Sequence, residues 1–307
     1  MNPEQIKSLI ELRNKGASWE DLKKQFKGRT SNSLRKTFYR HIDKPAVRAL
    51  VFDIETKPLL AYVWGLWDNN VALNQIENDW SVLSWSAKWL DAPDDEVMYA
   101  DNRKSKDLDD DKSLLEQIWK LLDEADIVIT HYGKKFDVPK LYARFIKHGM
   151  NPPSSFRHID TKQIASSKFA FTSNKLEYLA KFLGVKHTKL TERKFAGQLM
   201  WTGCIKGIKA AWEEMKAYNI RDTIVLQEVF HVLKKWDKSI NFDVYHDGLE
   251  NVCTCGGKSF IIHKLSPYIY TNTGKFDRLI CTNSKCGKEL KGKTNLLPMA
   301  KRKSLKG

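Results

Sequence analysis

The sequence has no apolar run approaching the length of a membrane span, and its first residues, MNPEQIKSLIELRNKG, lack the apolar stretch of a signal peptide. A soluble, cytoplasmic protein is the expectation. No internal repeat and no low-complexity tract is visible, apart from a basic tail at 301–307, which is expected to be irregular. Cysteine is scarce: five residues in 307, with only Cys204 lying before residue 250. Apolar residues are not scarce. At 42% hydrophobic, with 14 Phe, 10 Tyr and 10 Trp, the chain is expected to fold, with room for one full domain and small appendages.

The net charge of +15 is unevenly spread. Residues 1–46 carry 11 basic and 5 acidic side chains, and residues 251–307 carry 12 and 2. The stretch between them is close to neutral, with 29 basic and 30 acidic residues. Positive charge gathered in two arms attracts a polyanion, and nucleic acid is the commonest one in a cell. Lysine-rich ends that only aid solubility are the alternative.

The first 46 residues predict three short helices. One runs over Pro3–Lys15; a second follows Ser18, a candidate N-cap with Asp21 three residues on; Thr30 or Ser31 caps a third, through His41. Trp19, Leu22, Phe26, Leu34, Phe38 and Tyr39 supply a core, leaving Arg29, Arg35, Lys36 and Arg40 for the outside. A helix, a turn and a second helix bearing basic residues resembles a DNA-binding helix-turn-helix. A plain packing element with a solvated basic face is the alternative.

Val47–Ile54 then reads as a buried strand, followed by strand candidates at Ala61–Trp67, Ser81–Leu90 and Val97–Ala100, with Asp91–Asp95 as a hairpin turn. Helical periodicity marks 112–124, Phe136–His148, Leu176–Leu183 and Ile208–Leu233, and ADIVIT at 125–130 is a further buried strand. The pattern predicts a mixed α/β domain over 47–245.

The first strand breaks its own apolar pattern with Asp53 and Glu55. Two residues apart, they leave the same face of the strand, where paired carboxylates repel unless a cation compensates them. Simple exposure at a strand end is the alternative. After ADIVIT comes His131-Tyr132-Gly133-Lys134-Lys135-Phe136-Asp137, in which Gly133 permits a sharp turn and Asp137 falls in the first turn of a helix. Tyr218 and Asp222 share a face of the last long helix, four residues apart. Tyr218 as a core aromatic is the alternative there.

FDIET, then GxxFD, then YxxxD resembles the tyrosine-bearing branch of the DEDD exonuclease superfamily, over about residues 47–235. The pattern is similar to phage exonucleases and to the proofreading domain of family-B DNA polymerases. The resemblance implies an RNase H-like fold, a mixed sheet flanked by helices, and hydrolysis of DNA from the 3′ end. It implies that Asp53, Glu55, Asp137 and Asp222 hold two Mg²⁺ or Mn²⁺ ions, a choice that oxygen ligands favour. It assigns Tyr218 to the attacking water. A phenol ionises near pH 10, so Tyr218 is expected to orient the water rather than take its proton. The family pattern has Asn where this chain has Tyr132, which bears on substrate geometry. Asp160, before Thr161, matches an acid-Thr pair of these enzymes or caps a helix. Lys57, Lys134 and Lys135 are candidate phosphate contacts or ordinary surface lysines.

Cys253 and Cys255, then Cys281 and Cys286, flank β-like stretches at Phe260–His263, Tyr268–Tyr270 and Arg278–Ile280. The arrangement resembles a zinc ribbon over 246–300, although C-x-C and C-x4-C depart from the usual C-x2-C. Disulfides, which an intracellular protein seldom keeps, and free structural thiols are the alternatives. His263 is a candidate substitute ligand, and Cys204 an ordinary thiol.

The combined expectation is an exonuclease with a helical DNA-binding module at 1–46 and one structural Zn²⁺ in a C-terminal ribbon. No polymerase region is visible, so proofreading would need a separate polymerase subunit. The competing readings are an RNase or endonuclease of the same fold, and an inactive DNA-binding scaffold.

Overall fold

In the computed structural model, which describes residues 1–14, 17–40, 47–188, 194–245, 250–284 and 286–305, the first helices form where the caps place them. These are α1 (Pro3–Asn14), α2 (Trp19–Gln25) and α3 (Ser31–Arg40). Ser18 Oγ accepts the Asp21 amide, and Thr30 Oγ1 accepts the Ser33 amide at 3.1 Å, satisfying amides that the first turn leaves open. Leu9, Trp19, Leu22, Leu34 and Phe38 close a small core of their own. His41, expected to end the third helix, lies outside the described residues.

This bundle is anchored by cations to the end of a neighbouring helix, α4 (Lys112–Glu124). Arg13 pairs with Glu124, which Arg48, just before the first strand, also meets, and Arg35 donates to the Ala125 carbonyl at 3.2 Å, where helix carbonyls lack intrahelical partners. Arg35 is 5% exposed, and its guanidinium also lies over the Trp19 ring. It is therefore withdrawn from the outward-facing basic set, because the fold uses its charge to cap α4. Arg29 is exposed, while the side chains of Lys36 and Arg40 lie outside the described residues.

The apolar run after Val47 becomes β1 (Ala49–Thr56). A short ribbon, β2 (Leu60–Ala61) and β3 (Ile76–Asn78), leads to β4 (Val82–Trp89) and β5 (Met98–Asp101). Beyond α4 come β6 (Ile127–Thr130), α5 (Asp137–Lys147), β7 (Arg157–Asp160), α6 (Thr161–Lys168) and α7 (Leu176–Leu183). Then follow α8 (Leu199–Ile205) and α9 (Lys209–Leu233). The expected strand over Ala61–Trp67 is a correction: pairing stops at Ala61, and its aromatics stand in solvent.

The main sheet has the order β5-β4-β1-β6-β7. β1 pairs antiparallel with β4 and parallel with β6, so the sheet is mixed. Leu50, Phe52 and Ile54 of β1 pack against Leu114, Leu115, Ile118 and Leu122 of α4 and against Leu141 and Phe145 of α5. A fully buried leucine of this kind stabilises by about 2 kcal/mol. The two-residue side-chain period then sends Val51, Asp53 and Glu55 to the opposite face. On that face the sheet meets the helices that follow residue 199: Leu83 packs with Met200, Cys204, Ala211, Trp212 and Met215. Burial pushes the Cys204 thiol up to about 12, as befits a core thiol. Among the described residues no helix is long and apolar enough to cross a membrane.

The chain divides into two compact units, Met1–Phe230 and His231–Gly307. The second holds β8 (Phe260–Ile262), β9 (Tyr268–Thr271), β10 (Gly274–Cys281) and β11 (Glu289–Lys291), with β10 pairing all three others. The end of the chain is a correction: Met299–Ser304 is a short helix, α10, which opens directly after Pro298.

Candidate active site and metal centre

The face of β1 that carries Asp53 and Glu55 lies against Ser86 and Ser84 of β4, their register partners. Small polar side chains there leave room for α9 to approach. Asn219, fully buried on α9, fills that space. Its Nδ2 donates to Asp53 Oδ2 at 2.7 Å, its Oδ1 accepts from Ser84 Oγ at 3.2 Å, and its carbonyl accepts from Ser86 Oγ at 2.7 Å. Thr223, one turn on, is hydrogen-bonded to Ser86. Tyr218 and Asp222 flank Asn219 and Thr223 on the same helix, so these bonds fix both beside β1. Asp222 is 5% exposed.

Glu55 is held from a second direction. Trp201 of α8 donates its indole N–H to Glu55 Oε2 at 2.9 Å, and the Trp201 ring meets Tyr218 edge-on with centroids 6.1 Å apart. One indole thus touches both a carboxylate and the phenol.

Asp137 arrives from the other edge of β1. Pairing with β6 runs only from Ala49 to Val51, and beyond it the Ile54 amide donates to Asp137 Oδ1 at 3.1 Å. Asp137 is 3% exposed, and burial pushes its carboxyl up to about 7, with the neighbouring Asp160 charge adding to the effect and the Ile54 amide opposing it. Helix α5 is fixed by Arg144, whose guanidinium grips buried Asp111 through Nε at 2.8 Å and Nη2 at 2.7 Å. Asp111 also accepts the Val82 amide at 2.9 Å and contacts His148 Nε2 at 2.7 Å, tying α5 to β4.

The turn before Asp137 is organised by Asp160. Its Oδ1 accepts the amides of Tyr132 at 2.9 Å, Lys162 at 3.0 Å and Gln163 at 3.2 Å, and its Oδ2 accepts the Lys134 amide at 3.1 Å. The helix-cap reading of Asp160 thus holds, and the same carboxylate also shapes the turn before Asp137. Gly133 is required for space: a Cβ there would sit 2.4 Å from Thr130 Oγ1. The left-handed φ of +73° falls instead to Tyr132, whose ring lies under the Lys162 ammonium at 3.7 Å.

Asp137 of α5 thus meets the end of β1 that carries Asp53 and Glu55, and Asp222 sits on α9 between Asn219 and Thr223, which bond to β1 and β4. The four carboxylates do not form a tight cage: among the described residues, the group of metal-competent side chains with ligand atoms all within 4.8 Å of one another is the cysteine set. Lys134 and Lys135 are exposed beside Asp137 and remain accessible to a phosphate. Lys57 is not, being 6% exposed and bonded to Asn78 and Asp109. Asn219, Trp201, Ser84 and Ser86 were not singled out by sequence. The place of Asn219 directly after Tyr218 in the helix motif was the one visible signal.

In the second unit, Cys253 Sγ lies 3.6 Å from Cys286 Sγ, and Cys255 Sγ lies 3.6 Å from Cys281 Sγ. Four thiolates at Zn–S of about 2.3 Å in a tetrahedron stand roughly 3.8 Å apart, so the cluster fits a zinc ion. Gly256 and Gly287 take left-handed φ of +79° and +57°, closing the two knuckles. A Cβ at Gly257 would press on Cys255 and Cys281 Sγ at 3.3 and 3.4 Å. His263 lies outside this cluster; its Nδ1 accepts the Ser266 amide at 3.1 Å.

This is an α/β domain of RNase H-like architecture with a four-cysteine cluster in a separate unit. Residues 89–234 match the family model of the RNase H superfamily named RNase_H_2. That stretch takes in Asp137, Tyr218 and Asp222 and begins after Asp53 and Glu55. No curated protein matches the chain significantly. Among solved structures it is similar to the family B DNA polymerase from the hyperthermophilic archaeon Pyrobaculum calidifontis. The identity there is 14% and the TM-score 0.43, over 64% of this chain and 26% of the polymerase. The chain therefore spans about a quarter of that polymerase's length.

Proposed function

We propose that residues 47–235 form a two-metal-ion 3′→5′ exonuclease of the tyrosine-bearing DEDD type, acting on DNA. The observation that carries this reading is the pairing of Asp53 with Asn219 at 2.7 Å and of Asp137 with the Ile54 amide at 3.1 Å, which bring Asp137 of α5, and the α9 residue that lies between Tyr218 and Asp222, to the end of β1 that carries Asp53 and Glu55. Asp53, Glu55, Asp137 and Asp222 would hold two Mg²⁺ or Mn²⁺ ions, which would supply water activation at neutral pH and charge neutralisation for the departing 3′-oxygen. Asn219 and Trp201 hold Asp53 and Glu55 in place for that task, so less reorganisation is needed when substrate arrives. Tyr218, braced against Trp201, orients the attacking water. Lys134 and Lys135 meet backbone phosphates, and the basic N-terminal bundle, with Arg29 at its surface, holds the DNA.

The cysteine cluster is read as a structural Zn²⁺ site in a basic ribbon that clamps nucleic acid. A separate polymerase subunit is the partner this reading suggests. The test is digestion of 5′-labelled single- and double-stranded DNA with Mg²⁺ or Mn²⁺. A ladder shortening from the 3′ end, absent with chelator and in Asp53→Ala, is the expected result. DNA that is bound but stays whole with either metal would sink the catalytic reading in favour of a binding scaffold.

A further inference from the structure

Two residues past Glu55 the chain leaves the sheet and builds the β2–β3 ribbon. Its root is tightly fixed. The Lys57 amide donates to the Ser81 carbonyl at 2.8 Å, the Lys57 ammonium bonds Asn78 and Asp109, and Leu60 pairs with Asn78. The tip between the strands is braced as well: Tyr62 and Gln75 exchange bonds at 2.9 Å, and Gln75 Oε1 accepts the Ala72 amide at 2.8 Å.

This ordered ribbon carries an apolar tip in open solvent. Trp64 is 101% exposed, Trp67 85% and Tyr62 69%, with Leu66 and Leu73 similarly bare. Large side chains displayed in a patch mark a binding surface. The occupant can be argued from three features. Three of the displayed side chains are flat rings, which unpaired bases stack on without regard to sequence. The only charged residue between Tyr62 and Gln75 is Asp68, so the tip offers no cation to a phosphate, while exposed Lys134 and Lys135 beside Asp137 do. And Leu60 is five residues past Glu55, so at most about 18 Å of chain separates the ribbon root from the carboxylates.

We infer that the ribbon tip is a stacking platform for the unpaired bases of the strand whose end enters the carboxylate site, with Trp64 and Trp67 as the principal rings. This deepens the nuclease reading and rests on it. The platform grips bases while the lysines grip the backbone, which favours single-stranded or frayed ends over closed duplex.

The test is anisotropy of a 5′-fluorescein-labelled 20-nucleotide oligo-dT titrated with the full zinc-loaded chain with no Mg²⁺ or Mn²⁺ added, where no turnover is required. Trp64→Ala with Trp67→Ala is expected to weaken binding by roughly ten-fold or more. The paired Phe variants should bind nearly as wild type, and the paired Leu variants, apolar but not flat, should bind like Ala. The slope of affinity against salt should stay unchanged, because no cation is removed. In the wild type, oligo-dT should quench tryptophan emission, and the Phe variants should lack that part of the quench, a readout that needs no destabilising change. Ala variants that bind as wild type, or Leu variants that match Phe, would overturn the platform. So would a wild-type dimer that becomes monomeric in the Ala variants with binding unaltered, since the tip would then cover a second copy. Base stacking without hydrolysis would sink the nuclease reading alone; hydrolysis with DNA binding indifferent to the rings would sink this one alone.

Discussion

Asn219 Nδ2 donates to Asp53 Oδ2 at 2.7 Å and joins the helix carrying Tyr218 and Asp222 to the strand carrying Asp53 and Glu55. The same side chain accepts from Ser84 at 3.2 Å, so it is satisfied on both sides and fully buried. Asn219→Ala takes a donor from Asp53 and an acceptor from Ser84, which is expected to cost about 1–3 kcal/mol in chemical denaturation. Nuclease activity should fall by more than the stability loss explains. Asn219→Asp should be worse, because it sets a second carboxylate against Asp53. Full activity in either variant would show that the bond does not position the site.

Asp160 accepts four backbone amides, two from the turn before Asp137 and two from the start of α6. In Asp160→Asn one oxygen becomes an NH₂ that faces amide donors. The expected loss is about 2 kcal/mol or more, since bonds to a charged acceptor are the stronger kind. Activity should drop with it, because Tyr132 would no longer be held at its left-handed φ. Thermal melts alongside kcat would show whether both effects appear.

Burial pushes His158 down to about 4, with its Nε2 2.8 Å from Thr130 Oγ1. The unfolded chain, with an ordinary histidine near 6.5, therefore binds more protons than the fold between those two values. This contribution to stability is fully present above pH 6.5 and is lost as pH falls toward 4. From pH 7 to 5 the loss is about 2 kcal/mol by linkage. Urea denaturation of His158→Gln should show a flatter dependence over that window; an unchanged slope would contradict the assignment.

The cysteine cluster predicts one zinc per chain. Cys281→Ser should lose that zinc and leave His231–Gly307 open to limited proteolysis, because metal binding and folding of so small a unit are coupled. Metal analysis and proteolysis of the purified chain check this. A variant with full zinc and wild-type resistance would contradict it.

Asp53 and Glu55 were legible because two charges interrupted an apolar strand, and α4 and α7 fell on the residues their periodicity marks. The Ala61–Trp67 stretch misled, because β-prone aromatics look the same whether a sheet covers them or they stand in solvent. Arg35 misled for the converse reason: its charge is visible in sequence, whereas the Ala125 carbonyl that consumes it lies 90 residues away. Trp201 and Asn219 meet Glu55 and Asp53 across 146 and 166 residues, a distance over which single-sequence pattern carries no pairing information. Strand β7 spans only four residues and showed too little alternation to stand out.

Counting Mn²⁺ bound to the full chain tests the central claim most directly. Manganese prefers carboxylates and leaves a zinc-filled thiolate cluster alone. Titration followed by electron paramagnetic resonance should find two Mn²⁺ per wild-type chain, coupled to each other, and fewer than two in Asp53→Ala or Asp222→Ala, neither of which should show the coupled pair. Wild-type protein that binds no Mn²⁺, or either variant binding as wild type, would contradict a two-metal site built from these acids.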